Sequence, residues 1–162
     1  MFGMRTRRAF IMGLGLAAAC PFAARAQQSK RLRLGSLALT QPNGKSLHLN
    51  IAQITFIRSD TQISGANAEF GLASGRVQGV KEHVAEIMRL VTDEQRAEMS
   101  WIALTEPSGE RIYVNVSQVT SVRFDTQIPR ANAELGFTSG KLQGVREQVD
   151  DIMKLIAAIA ER

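Results

Sequence analysis

Cysteine is almost missing from this chain. Among 162 residues only Cys20 is one, and it lies in a leader-like stretch. Loss of that stretch leaves no disulfide, no thiol nucleophile and no thiolate metal site. The motifs of common chemistries are missing too. No H-E-x-x-H, G-x-S-x-G, P-loop or G-x-G-x-x-G pattern occurs. "GLASG" (Gly71–Gly75) comes nearest to a nucleophile turn, and its Ser-Gly reads better as a hairpin turn. The apolar run "FIMGLGLAAA" has ten residues, where a membrane-crossing helix needs ~20. No catalytic, cofactor-binding or metal-binding residue is therefore assigned, and the chain does not read as an enzyme.

Acidic residues are absent from the first 26 positions, which hold Arg5, Arg7, Arg8 and Arg25. That stretch carries most of the formal charge of +5; the remainder has 16 basic and 15 acidic side chains, a net of +1. No large basic field is left to hold a nucleic acid. The stretch instead reads as an export signal: a basic start, a short apolar run, then Ala24 and Ala26 as an A-x-A cleavage site. "TRRAFI" (Thr6–Ile11) resembles the twin-arginine consensus, which implies export of a folded chain to the periplasm. Two alternatives stay open. One is an ordinary secretory signal. The other is a lipoprotein acylated at Cys20, although Ala17 stands where Leu is usual and Pro21 follows the cysteine.

What the sequence does contain is itself, twice. Residues 36–91 align with 101–156 without a gap, at an offset of 65, with 28 identities in 56 positions. "LALTQPNGKSLHLN" and "IALTEPSGERIYVN" each read as two strands around a Pro-x-Gly turn. "IAQITFIRSD" and "VSQVTSVRFD" read as a third strand. A fourth follows in "ANAEFGLAS" or "ANAELGFTS", where Ala131, Ala133, Leu135 and Phe137 share one face and Asn132, Glu134, Gly136 and Thr138 the other. "KLQGV" is a short fifth. Val80, Val84, Ile87, Met88 and Val91, like Val145, Val149, Ile152, Met153 and Ile156, recur at helical spacing.

The expected fold is α+β: two tandem antiparallel meanders of four to five strands, each followed by an amphipathic helix, packed as a pseudo-two-fold pair. The expected divisions are a signal peptide (1–26), a lead (27–35), repeat 1 (36–91), a linker (92–100) and repeat 2 (101–162). In the linker, Thr92 to Gln95 has the pattern of a capping box, which predicts a short helix.

The second copy resembles the FlbD/SwrD type of small bacterial motility protein, associated with flagella and swarming. The matching residues are Leu104, Thr105, Gly109, Tyr113, Val114, Asn115, Val119, Val122, Thr138, Gly140, Lys141, Val145, Glu147, Val149 and Ile152. They span nearly the whole module. This resemblance implies a small strand-rich α+β unit and supplies no catalytic residue. The duplication, the export signal and a longer "DTQIPRANAE" connection depart from the family's pattern.

Histidine adds little. His48 and His83 face Tyr113 and Gln148 in the other copy, so neither belongs to a shared design. Shared acids are more informative: Asp60/Asp125, Glu69/Glu134 and Glu82/Glu147. Their separations of 9 and 13 residues do not match a cation-binding loop. Asp125 is expected to turn the chain after the third strand, and Glu147 to sit in the first turn of the helix, favoured by its dipole. Around them the apolar positions have drifted, as in Ile54/Val119 and Ile57/Val122, while a polar set is identical. Surface exchanges are usually tolerated, so identity in such a set asks for a cause: a buried polar network, a binding surface used twice, or a recent duplication.

The surface reading nominates Arg58, Asp60, Gln62, Asn67 and Glu69, with Arg123, Asp125, Gln127, Asn132 and Glu134. The strand carrying Asn132 and Glu134 is also a candidate edge for strand addition. The resulting functional expectation is an exported, non-enzymatic structural or protein-interaction module of the bacterial envelope. Its partner is an unidentified periplasmic or envelope protein, with homo-oligomerisation open, no nucleic acid, no span in the mature chain and no cofactor. The alternative is a periplasmic small-ligand carrier or enzyme with a polar cleft between the repeats. The leader reading predicts that the exported protein begins at Gln27, by N-terminal sequencing. Arg7→Lys with Arg8→Lys should hold the uncut chain in the cytoplasm; a mature terminus at an acylated Cys20 would contradict it.

Overall fold

Local structure repeats with the sequence. A computed structural model describes residues 35–94, 101–124 and 126–161. The signal stretch (1–26), nearly all of the lead, and residues 95–100 of the linker lie outside the described residues. In the first copy β1 (Ser36–Thr40) and β2 (Ser46–Asn50) form a hairpin; β6 (Trp101–Thr105) and β7 (Arg111–Asn115) do so in the second. Gly44 and Gly109, at φ of +82° and +101°, supply the left-handed residue that each turn needs. Three more strands follow in each copy: β3 (Ile54–Arg58), β4 (Ala68–Leu72) and β5 (Val77–Val80), then β8 (Val119–Arg123), β9 (Ala133–Phe137) and β10 (Leu142–Val145). Each copy ends in a helix, α1 (Val84–Glu94) or α2 (Val149–Ala160).

The expected arrangement of these elements fails. The chain is mostly β, not two α+β meander-plus-helix units side by side. Its strands form sheets of two, five and three, ordered β1-β2, β5-β4-β3-β7-β6 and β10-β9-β8. The departure begins at Ile51 and Val116. The run read as one third strand opens with a 3-10 turn, Ile51–Gln53 or Val116–Gln118. Asn50 and Asn115 cap it: each Oδ1 accepts from the backbone N–H two residues on, at 3.0 and 3.1 Å. The chain turns there instead of reversing, so β2 does not pair with β3. That leaves an edge of β3 open, and β7 of the other copy takes it: Phe56 lies opposite Val114, Ile57 opposite Tyr113 and Arg58 opposite Ile112. The pairing is not returned, because among the described residues β8 pairs only with β9 and β2 only with β1. A pseudo-two-fold pair is therefore the wrong description.

Cross-copy pairing also mixes the cores. Strand alternation sends Ile112 and Val114 of β7 into the second core and Tyr113 against the first, where Trp101 joins it. Phe56 of the first copy goes the other way. It is buried in the second core, its ring centroid 5.9 Å from that of Phe137.

Smaller corrections concern the helices. Val80 and Val145, read as helical, end strands β5 and β10. Thr92 is not the cap of a linker helix: it sits in α1, with its hydroxyl donating to the Met88 carbonyl at 2.8 Å. Glu147 precedes α2 rather than opening it, and its carboxylate accepts from the Thr105 N–H at 3.0 Å. Glu82 does the same for Thr40 at 2.9 Å. These bonds tie each hairpin to the end of its three-stranded unit, whose N–H at Lys81 or Arg146 donates to the same residue's carbonyl. The glycine of "QGV" is explained by close packing: a Cβ at Gly79 would lie 2.8 Å from that of Ala66, and one at Gly144 2.9 Å from that of Ala131. Among the described residues, no helix is long and apolar enough to cross a membrane.

The crossed cores predict an asymmetry between matched residues. Phe56→Ala should destabilise by about 3–5 kcal/mol, as for a buried aromatic. It should keep one cooperative transition in urea, because both cores lose together. Ser121→Ala, at the matching position, is exposed and should change stability by under ~0.5 kcal/mol. Two separate transitions in the Phe56 variant would show that the cores fold independently.

Candidate interaction surface

The polar residues common to both copies divide into structural ties and a free remainder. Glu69 and Glu134 are buried, at 3 % and 4 % exposure. Each is bonded by the arginine of its own copy: Arg58 Nε reaches Glu69 Oε1 at 3.0 Å, and Arg123 Nη2 reaches Glu134 Oε1. Asn67 and Asn132 donate to the carbonyls of Lys81 and Arg146, fixing the chain beside β5 and β10. Gln78 and Gln143 each bond the carbonyl of the next glycine at 2.9 Å. Thr61 and Thr126 accept from the N–H of Ile63 and Ile128, closing the turn after "DT".

Asp60, Gln62 and Gln127 are exposed, and nothing in the structure explains why the two glutamines are identical. Asp125 lies outside the described residues. The expected edge at Asn132 and Glu134 is absent: β9 is the central strand of its sheet and Ala133–Phe137 are all buried.

Where the copies meet, a residue outside the nominated set completes the site. Glu106, at the end of β6, is 3 % exposed. Its Oε1 accepts from Arg58 Nη1 at 3.1 Å and from Gln143 Nε2 at 3.2 Å; its Oε2 is buried without a partner among the described residues. Arg58 is thus held between a carboxylate of its own copy and one of the other. Burial pushes the Glu106 carboxyl above its ordinary range, and the nearby Asp60 adds to this; Arg58 and Gln143 pull the other way without cancelling it. For Arg58 burial disfavours the charge, but the bonds and charges of Glu69 and Glu106 together outweigh it and raise its pKa. Two amides bridge the backbone at the same junction. Asn115 Nδ2 donates to the Ile54 carbonyl at 3.0 Å, and Gln118 Nε2 to the Ala52 carbonyl at 2.9 Å.

No family model matches the chain. Neither the curated proteins nor the solved structures contain a match.

Among the described residues, a second edge like that of β3 stands open in the second copy. Thr55 and Phe56 of β3 are 1 % and 5 % exposed under the cover of β7, whereas Thr120 and Ser121 of β8 are exposed. Beside them lies a hollow of about 360 Å³, lined by Val116, the strand residues Val119 to Val122, and Met153 and Ile156 of α2. Met153 is 49 % exposed, and Phe124, just past β8, is 81 % exposed. Sequence reading missed this surface and placed Met153 only on the apolar face of the helix. Its signal lay in the differences between copies, Phe56/Ser121 and Ser59/Phe124, not in the identities.

Among the described residues no group of His, Cys, Asp and Glu is placed to hold a metal ion. The arrangement can do two things. It locks each copy with an arginine on a buried carboxylate, and it presents, among the described residues, an unpaired strand beside an apolar helix face.

The raised Glu106 carboxyl has a definite pH signature. The native state holds this proton more tightly than the unfolded chain does. Its stabilising contribution is therefore full below the ordinary carboxylate range and is lost as pH rises from there through the raised value. Thermal melts of wild type and Glu106→Gln across this window should diverge, wild type losing ground to the variant as pH increases. A difference that is flat or runs the other way would mean that Glu106 is not held in this state.

Proposed function

We propose that this chain is an exported, non-enzymatic interaction module of the bacterial envelope, which binds protein through the open β8 edge and the adjoining face of α2. One observation carries the reading: the same edge is sealed by a paired strand in the first copy and left unpaired in the second. An exposed strand edge with apolar side chains beside it is a ready template for strand addition. The nominated arginines, glutamates and asparagines support the fold instead, which leaves Asp60, Gln62 and Gln127 as the polar recognition residues among those described. The repeats join through paired strands, which favours a contact module over a carrier with a polar cleft between them. Export rests on the leader, and the periplasm is the compartment it implies.

The nominated set separates by substitution. Asn67→Ala with Asn132→Ala should lower the melting temperature by several degrees, at about 1 kcal/mol for each lost hydrogen bond. Gln62→Ala with Gln127→Ala should leave it unchanged. A photo-crosslinking residue at position 122, in the bacterium that makes the protein, should capture a protein of discrete mass. Met153→Glu should reduce that capture by roughly tenfold, since it places an unpaired carboxylate in an apolar contact. If position 122 captures no more than an exposed control at Lys141, the edge is not the working surface.

A further inference from the structure

We infer that the β8 edge takes β2 of a second copy of this chain, in the register that β3 and β7 use within one chain. The inference rests on the contact-module reading above and names its partner.

The internal junction is a template. It joins the outer edge of β3 to the outer edge of β7. The matching edges, on β8 and β2, are the two left over: among the described residues β8 pairs only with β9 and β2 only with β1. Shifting the internal register by the repeat offset places Ser121 opposite Leu49, Val122 opposite His48 and Arg123 opposite Leu47.

The side chains that seal the internal junction have counterparts waiting. Asn115 and Gln118 bridge to the carbonyls of Ile54 and Ala52. Asn50 and Gln53 are the same residue types at the matching positions, and both are exposed. In the shifted register they address the carbonyls of Val119 and Ser117. Arg123 bonds only Glu134 among the described residues, and its side chain is 51 % exposed against 25 % for Arg58. Arg58 uses its remaining nitrogen on Glu106; the match to Glu106 is Gln41, whose amide carbonyl can accept from Arg123. Exposed Phe124 also finds a place. Its match Ser59 bonds Glu110 at 3.3 Å, so Phe124 comes beside Lys45, an arrangement suited to a cation–π contact.

The external junction is the weaker of the two. Trp101, Tyr113 and Phe56, which fill the internal one, are replaced by Ser36, His48 and Ser121. Less apolar area is buried, so copies exchange while the two halves of one chain stay joined. The contact is also directional. Unlike surfaces meet, so the assembly runs head to tail and ends only if a ring closes.

Position-specific crosslinking decides the matter. Full-length chains with Cys20→Ser carry either His48→Cys or Val122→Cys, on tags of different size. Mixed and treated with a short thiol-specific crosslinker, they should give a mixed-tag dimer in roughly tenfold excess over either same-tag dimer. Without crosslinker, the Cys20→Ser chain should show a mass above the monomer that rises with concentration. His48→Glu should return it to the monomer without loss of strand signal in circular dichroism. Equal mixed-tag and same-tag products, or a monomer at every concentration, would overturn the inference. Photo-crosslinking at position 122 separates this failure from that of the wider reading. Capture of a different protein and no second copy sinks the self-pairing and keeps the contact module. Capture of nothing sinks both.

Discussion

Backbone pairing between β3 and β7 is the constraint on which the rest of the structure depends. A module of about 56 residues buries only a marginal core by itself. Here neither copy completes its own. The first lends Phe56 to the second core and receives Trp101 and Tyr113 against its own. The strand pair brings these side chains into place, and the Asn115 and Gln118 amides hold its flank. Arg58 lies at one end of the pair, clamped between Glu69 and Glu106. A buried ion pair is weak support for stability when counted alone, because desolvation offsets much of the attraction. Its Glu106 half is the part that spans the two copies, since the Glu69 half lies within one.

The parts of this fold that local chemistry dictates could be read from the sequence. Pro-Asn-Gly and Pro-Ser-Gly marked the two hairpins, and apolar spacing marked the helices within a few residues. The break at Asn50 and Asn115 was not legible. It uses no glycine or proline; an asparagine caps a 3-10 turn inside a β-branched run that otherwise reads as one strand. Without that turn β2 and β3 would pair as a meander, and the edge that joins the copies would not exist. No local pattern records which free edge another strand will take, since that depends on contacts 50 to 60 residues apart, as between Arg58 and Ile112.

The candidate site was legible in part, for a related reason. Identity between copies marked Asn67 and Glu69 with their counterparts, which serve functions that each copy performs for itself, and Arg58, which also reaches across to Glu106. The junction lies elsewhere. Glu106 differs from Gln41, Phe56 from Ser121 and Tyr113 from His48, because one copy is engaged at those positions and the other is not. In this duplicated chain most identities report on the module, Asn115 and Gln118 at the junction excepted, and the differences report on what surrounds it. A search for function among identical residues therefore finds the lock first.

Head-to-tail duplication has a geometric consequence. Each module carries two unlike edges, one on its third strand and one on its second. Joining two modules through one of each leaves one of each, at opposite ends of the pair. A two-fold arrangement would have used all four, but the structure uses two. An unused edge beside apolar side chains invites uncontrolled association. The changes at the free ends act against this: serine replaces phenylalanine at 121 and serine replaces tryptophan at 36. Yet Asn50 and Gln53 remain, exposed and unchanged, at the positions where Asn115 and Gln118 make the internal bridges. Capping Ala52 accounts for Asn50 within its own copy. It does not account for Gln53, whose side chain makes no bond to any described residue; a weak, directional contact at the free edge accounts for both.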